Sequence, residues 1–234
     1  MKIIGMIPAR IGSKRVKNKN LRLINNKPLI SYVIETVKKT NIFDDIYLNS
    51  DSYIFDKIAK KYSINFYKRK DILGSDKATN DQFTLDFLEN IHCDILIQIL
   101  PTSPFITKKE IESFYKYMIK QKLNTLISVE EKQIACLYKS KPINFKTLSP
   151  NPPSQNMIPV KSYATVLMGW SRKKFISNMK KYNSAYHGGN GKTGYFTIKG
   201  LSTIDIDTED DFRLVEKIML ANIKNNIFKK QYFK

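Results

Sequence analysis

Ile3-Ile4-Gly5-Met6-Ile7-Pro8-Ala9-Arg10-Ile11-Gly12-Ser13-Lys14-Arg15-Val16-Lys17-Asn18-Lys19-Asn20 opens the chain as an apolar run that empties into a loop of small residues and cations. A short apolar run without polar alternation reads as a strand buried on both faces, the kind found inside parallel sheets. Eight Lys or Arg fall within the first 27 residues, and no Asp or Glu appears before Glu35. The loop therefore carries an unneutralised positive field at the end of a buried strand, which suits a polyphosphate. Gly12 and Ser13 allow backbone N–H groups close to phosphate oxygens, and Arg10, Lys14 and Lys19 can supply charge-assisted hydrogen bonds. The spacing is neither a Walker A loop nor the dinucleotide G-x-G-x-x-G.

Outward from this stretch the chain alternates. Residues 3–7, 46–48, 64–67, 95–100 and 125–129 read as short apolar strands, and residues 28–39, 54–62, 79–90 and 107–120 have the apolar spacing of amphipathic helices. Thr107-x-x-Glu110 reads as a capping box. Such alternation implies an α/β fold with a doubly wound, mostly parallel (mixed) sheet and ligands at the carboxyl ends of its strands. The loop at 8–20, Asn49-Ser50-Asp51 and Pro101-Thr102-Ser103-Pro104 all follow strands, so they should converge on one rim. Asp51 can anchor that rim, or simply serve an ordinary turn and helix cap. Between about residues 130 and 163 the pattern breaks at Pro142, Pro150, Pro152, Pro153 and Pro159, and no long helix can form. A strand at 194–198 and a helix at 208–222 follow, with a frayed tail expected at 229–234.

Composition narrows the function. A length of 234 residues with 42% hydrophobic content suits a single domain spanning 1–234. Cys93 and Cys136 suggest neither a disulfide framework nor a zinc site, and read as two buried small hydrophobes. His92 and His187 are the only histidines, so no histidine cluster exists for metal or triad chemistry, and both read as surface residues. No apolar run is long enough for a membrane span and no signal-peptide core opens the chain, so a cytoplasmic protein without a membrane partner is expected. The net charge of +19 argues for a nucleic-acid partner. Its makeup argues against one: 34 Lys against 6 Arg, spread along the whole chain, with no helix-turn-helix, zinc-finger or aromatic RNA-binding signature. A solvated Lys-rich surface with an anionic small-molecule substrate accounts for the same charge.

Ile7-Pro8-Ala9-Arg10-x-Gly12-Ser13-Lys14-(x)4-Lys19-Asn20 resembles the opening motif of the acylneuraminate (sialic-acid-type) cytidylyltransferases, which activate nonulosonic acids as CMP-sugars. The likeness continues through Lys27-Pro28-Leu29-Ile30, Asn49-Ser50-Asp51-Ser52, Arg69 before Ser75-Asp76, Pro101-Thr102-Ser103-Pro104, and Asp205-Ile206-Asp207-Thr208-Glu209-Asp210-Asp211-Phe212. It implies a Rossmann-like nucleotidyltransferase fold that takes CTP and an acidic sugar, works with Mg²⁺ and releases pyrophosphate. A nucleotidyltransferase for another sugar, a sugar phosphate or a polyol phosphate is the alternative. On this likeness Ala9, Arg10, Gly12, Ser13, Lys14, Lys19, Asn20, Arg69 and Asn80 bind the nucleotide. Thr102, Ser103 and Gln155 would bind the acceptor, and Arg10, Lys19, Asp205 and Asp207 form the catalytic set. Arg15 and Lys17 lie off the pattern and receive no role.

Asp205 and Asp207 alternate with Ile206, so at a strand end they would point the same way and could share Mg²⁺. The competing reading is a helix N-terminus, where carboxylates offset the macrodipole. Thr208, Glu209, Asp210 and Asp211 fit that second reading; the resemblance makes Asp205 and Asp207 metal ligands. It also implies that residues from about 130 to 180 project as an arm onto a second subunit, with Met157, Ile158, Tyr163, Val166, Leu167, Met168 and Trp170 buried in a homodimer interface. The acceptor side departs from the family. Leu100 stands where Gln usually precedes Pro-Thr-Ser-Pro, with Gln98 the nearest amide. Ser154-Gln155-Asn156-Met157-Ile158-Pro159 lacks the family's arginine, and Thr165–Trp170 replaces its Asn-Gly-Ala.

Overall fold

Strand β1 (Ile3–Ala9) is buried along its whole length because it has a parallel neighbour on each side in the computed structural model, which describes residues 1–223. It pairs with β2 (Asp45–Ser50) from Ile4↔Asp45 to Ala9↔Ser50, and with β4 (Ile95–Ile99) from Ile3↔Ile95 to Met6↔Gln98. Adding β3 (Asn65–Lys68), β5 (Thr125–Lys132), β6 (Val160–Ser171) and β7 (Thr193–Thr197), the described residues build a seven-stranded sheet in the order β7-β5-β6-β4-β1-β2-β3. All neighbours run parallel except β6, which is antiparallel to β4 and β5. The mixed, mostly parallel sheet expected from the alternation is therefore present.

Helices cover both faces. On one, α1 (Leu29–Lys38), α2 (Ile54–Lys61) and α4 (Lys108–Lys120) pack Val33, Val37, Phe55, Phe114 and Met118 against Ile3, Ile7 and Ile97. On the other, α3 (Asn80–Asn90) and α5 (Arg172–Tyr182) pack Phe87, Leu88, Phe175 and Met179 against Ile4, Met6, Leu96 and Trp170. Capping boxes start α3 at Thr79/Gln82 and α4 at Thr107/Glu110, the second as the sequence spacing predicts. A third cluster seats α6 (Glu209–Ile223) against the first loop through Val16, Ile24, Leu29, Ile206, Phe212 and Val215. That cluster brings the far end of the chain to the cation-rich loop after β1. The expected tail at 229–234 lies outside the described residues.

Two expectations change. Val166, Leu167, Met168 and Trp170 are interior residues of β6, packed between β4 and β5 within the protomer. An apolar run in an interior strand has the same composition as one destined for an interface, so the sequence pattern could not separate them. Helix α5 also belongs to the body, its Phe175 ring edge-on to Trp170 at 5.4 Å. The projecting segment is thus narrower than 130–180. Glu130–Lys132 pairs with Val160–Ser162 in a ribbon, and residues 133–159 hang from it, bearing a Leu137–Tyr138/Lys141–Pro142 hairpin and a 3-10 turn at Ser154–Asn156. The second change concerns Asp205 and Asp207. They lie in no strand, but in an extended connector between the turn Gly200–Thr203 and α6, held by the Ile206 N–H donating to the Thr102 carbonyl at 3.0 Å.

Candidate active site

The carboxyl ends of β1, β3 and β4 open onto a cleft of about 500 Å³, where a doubly wound sheet places its ligands. Its first wall is the loop after β1. Val16 is fully buried and pins the loop's middle, and Asn18 turns it with a left-handed φ of 51°, a conformation asparagine tolerates. The cations on either side then face the cleft. Arg10 Nη1 and Lys14 Nζ both reach Asp76, at 2.7 Å to Oδ1 and 2.5 Å to Oδ2. The hydrogen bonds from Lys14 and then Arg10 hold the Asp76 carboxyl below its ordinary value. Two cations from the loop thus already converge on one small anionic group. Ser13, Lys19 and Asn20 complete this side.

Arg69, partnered by Asp51, builds the second wall. Arg69, 3% exposed, follows β3 and donates from Nη2 to the Ala9 carbonyl at 3.1 Å. The same nitrogen stands 3.7 Å from Asp51 Oδ1, which accepts from the Ile11 N–H at 3.4 Å. Burial, opposed by Asp51, pushes the Arg69 pKa down. The guanidinium lies 5.0 Å from the centre of the Phe83 ring. Asn80 and Phe83, at the start of α3, line the cleft beside it. Asp51 is therefore an anchor that ties β2, the loop and Arg69 together.

The connector supplies the third wall. Asp207 Oδ1 accepts from Arg15 Nη2 at 2.8 Å and lies 3.6 Å from Lys19 Nζ, which also donates to the Ile206 carbonyl. Burial lowers the Lys19 pKa, while Asp205 and Asp207 oppose the fall. Burial raises the Asp205 pKa, offset by the Thr102 hydroxyl and reinforced by Asp207. Asp205 Oδ1 is buried without a hydrogen-bond partner. An orphaned carboxylate oxygen two residues from a second carboxylate fits a hard divalent cation. The capping role goes elsewhere: Asp211 Oδ2 accepts from the N–H groups of Asp207 and Thr208 at 3.0 and 2.7 Å, and Thr208 Oγ1 accepts from Asp211 N–H at 3.2 Å. Helix-end capping thus accounts for Thr208 and Asp211 and leaves the Asp205 and Asp207 carboxylates free of it.

Of the residues singled out from the sequence, Ala9, Arg10, Ser13, Lys14, Lys19, Asn20, Arg69, Asn80, Thr102 and Asp207 line this one cleft. Asp205 and Ser103 sit behind its wall, Ser103 with its hydroxyl buried and unpartnered. Gly12 is exposed at the loop, with nothing within 4 Å of a Cβ there. Gln155 is not brought here: it lies in the projecting segment, its carbonyl accepting from Gln133 Nε2 at 2.8 Å. Gln98 is fully buried beside Met6 and Met168 in the sheet, its amide without partners. Cys93 is buried, Cys136 only partly, and His92 and His187 are exposed.

Residues 4–148, well over half of the chain, match the family profile described as cytidylyltransferase. The chain belongs to that family. Post-translational flagellin modification protein B of Campylobacter coli is 32% identical over 92% of this chain and 93% of its own length. The N-acylneuraminate cytidylyltransferase of Escherichia coli O18:K1:H7 is 28% identical over 97% of this chain and 54% of its own length. The chain therefore spans about half the length of the N-acylneuraminate cytidylyltransferases it matches. In fold it resembles a CMP:2-keto-3-deoxy-manno-octonic acid synthetase solved with CTP, at a TM-score of 0.73 with 15% identity, over 95% of this chain and 100% of that one. The profile covers the first two walls of the cleft, and the third, with Asp205 and Asp207, lies beyond its reach.

Arg15, Asp76 and Phe83 also line the cytidylyltransferase cleft. The spacing of Ser75-Asp76 flagged the region of Asp76 without giving it a role. Phe83 sits one helical turn after Asn80, on the same face, and that spacing was the available signal. Nothing local to the loop shows which of its cations turns toward a carboxylate nearly two hundred residues away, so Arg15 carried no signal.

Proposed function

We propose that this protein transfers a cytidylyl group from CTP to an acidic sugar of the nonulosonic-acid type, giving a CMP-sugar and pyrophosphate. The observation that carries this reading is the convergence of Arg10, Lys14 and Lys19 on one side of a cleft whose other side is Asp207, with Asp205 behind it. In this reaction an acceptor hydroxyl forms a bond to the α-phosphorus of CTP and gives up its proton to solvent, while the bond from that phosphorus to the bridging oxygen of pyrophosphate breaks. Arg10, Lys14 and the Ser13 hydroxyl grip the departing phosphates, exchanging Asp76 for phosphate oxygens. Lys19, held at the connector, neutralises charge between the two walls. Arg69 fixes the Ala9 carbonyl, and with Asn80 and Phe83 it shapes the wall where the base lies. Mg²⁺ would be held by Asp205 and Asp207, and when bound it supplies charge stabilisation at the α-phosphate.

The acceptor would meet Thr102 on the cleft floor, with Ser103 behind it. Gln155 would reach an acceptor only on a partner subunit, which fits a homodimer. Support for the dimer comes from the projecting segment, where Ile134, Leu137, Tyr138, Ile143, Leu148 and Ile158 are all more than half exposed. No helix of the described residues is long and apolar enough to cross a membrane. We place the enzyme in the cytoplasm, where CTP is made.

Pyrophosphate release tests the reading, measured with CTP, ATP, GTP and UTP against a panel of nonulosonic acids, other acidic sugars and sugar phosphates, with Mg²⁺ and with chelator. Release with CTP and a nonulosonic acid, abolished by chelator, is the expected result. Release indifferent to the base, or confined to a sugar phosphate, would overturn the substrate assignment.

A further inference from the structure

Asp207 carries two cations on a single oxygen, and they are held differently. Lys19 Nζ stands 3.6 Å from Oδ1 with only 13% of its side chain exposed, and it is tethered as well to the Ile206 carbonyl. Arg15 Nη2 donates to the same oxygen at 2.8 Å from a side chain that is 69% exposed. Among the described residues Arg15 has no other carboxylate partner, and it borders the cleft in which the triphosphate would lie. Behind this pair, Asp205 keeps one buried oxygen with no partner. One carboxylate is thus ready for a cation, and the other is closed by a removable charge of the chain itself.

We propose, resting on the reading of Asp205 and Asp207 as the divalent-metal site, that Arg15 competes with the metal for Asp207 Oδ1 and turns to the triphosphate when displaced. A guanidinium at hydrogen-bond distance and a divalent ion cannot share that oxygen without strong like-charge repulsion. Displacement is within reach, because an exposed ion pair of this kind shifts an equilibrium by about fivefold at most. Once released, the Arg15 head remains beside the cleft, where a phosphate offers it a fork of acceptor oxygens. Nucleotide and metal each remove the contact that opposes the other, so their binding is coupled through this one side chain.

The test counts Mn²⁺ bound to nucleotide-free protein, with free Mn²⁺ read by electron paramagnetic resonance. It compares the wild type with Arg15→Ala and with Lys17→Ala, which removes a cation from the same exposed loop. Arg15→Ala should bind Mn²⁺ about two- to fivefold more tightly than the wild type, the strength of one exposed ion pair. Lys17→Ala should match the wild type. With Mn²⁺ present, Arg15→Ala should bind CTP more weakly. Equal Mn²⁺ affinity in the wild type and Arg15→Ala, or an equal gain in both variants, overturns the competition and leaves the metal site standing. Unchanged CTP affinity in the presence of Mn²⁺ overturns the transfer of Arg15 to phosphate. Absence of Mn²⁺ binding in all three proteins overturns the metal-site reading, and the proposal with it.

Discussion

Asp51→Asn should destabilise this protein by about 3 kcal/mol, because it strands a buried guanidinium. Arg69 is 3% exposed, and its Nη2 faces Asp51 Oδ1 at 3.7 Å. Removing one partner of a buried ion pair costs about 3–5 kcal/mol, since the remaining charge stays out of water. Here the lower end applies. The contact is not bidentate, and Arg69 keeps both its bond to the Ala9 carbonyl and its place against Phe83. In a chain of this size the loss corresponds to a fall in Tm of about 6–12 °C. Asparagine still offers an oxygen to the Ile11 N–H and the Ser50 hydroxyl. Asp51→Ala removes that as well and should cost about 1 kcal/mol more. Thermal and denaturant melts of Asp51→Asn, Arg69→Met and the double variant complete the cycle. Because the double variant leaves no orphaned charge, its loss should fall about 1–3 kcal/mol short of the sum of the singles. A Tm drop below about 3 °C for Asp51→Asn, or strictly additive losses, would refute the reasoning.

Asp205→Asn and Asp207→Asn should each lower the rate of pyrophosphate release by about 10²–10³; without metal, CTP affinity should barely change in Asp205→Asn and rise by about fivefold at most in Asp207→Asn, which releases Arg15. Fully active variants that melt earlier would instead mark the pair as structural. Burial holds the Cys93 thiol up at about 12, whereas Cys136 is partly exposed. Since the thiolate is the reactive form, an aromatic disulfide reagent at neutral pH should titrate one thiol in the native protein and two in guanidinium; rapid reaction of both in the native protein contradicts the packing around Cys93. Leu148 is 99% exposed and Ile158 73%. If the proposed homodimer forms through the projecting segment, the double change Leu148→Glu/Ile158→Glu should halve the mass measured by light scattering and leave the circular dichroism spectrum unchanged; an unaltered mass overturns this segment as the subunit contact.

The rim was legible in the sequence because it follows from order alone: strand, loop, helix, with cations crowded after the first strand and Pro-Thr-Ser-Pro after the fourth. The central position of β6 was not. Its run from Val166 to Trp170 is apolar without alternation, and periodicity cannot say whether such a run is buried by its own sheet or by a second subunit. The seat of Asp205 and Asp207 was half legible. Their alternation around Ile206 set them apart from Thr208 and Asp211, which make the capping bonds, yet the connector is extended without being a strand, because its register comes from a single backbone bond to Thr102. Arg15 was invisible for the same reason. Its partner is set by the docking of α6, a long-range packing event that leaves no mark on the residues beside it.

That backbone bond between Ile206 and Thr102 also fixes when the cleft becomes complete. During synthesis the cation-rich loop, the Asp51–Arg69 pair and the cleft floor are all made before residue 205 is added. A chain of that length lacks both the carboxylates opposite the cations and the α6 residues that bury Val16, so the loop after β1 is not yet pinned. The proposed catalytic set is assembled only when the last connector docks and α6 closes over Val16 and Leu29. Turnover by the proposed route would therefore report the finished fold, in the manner of a built-in completion signal.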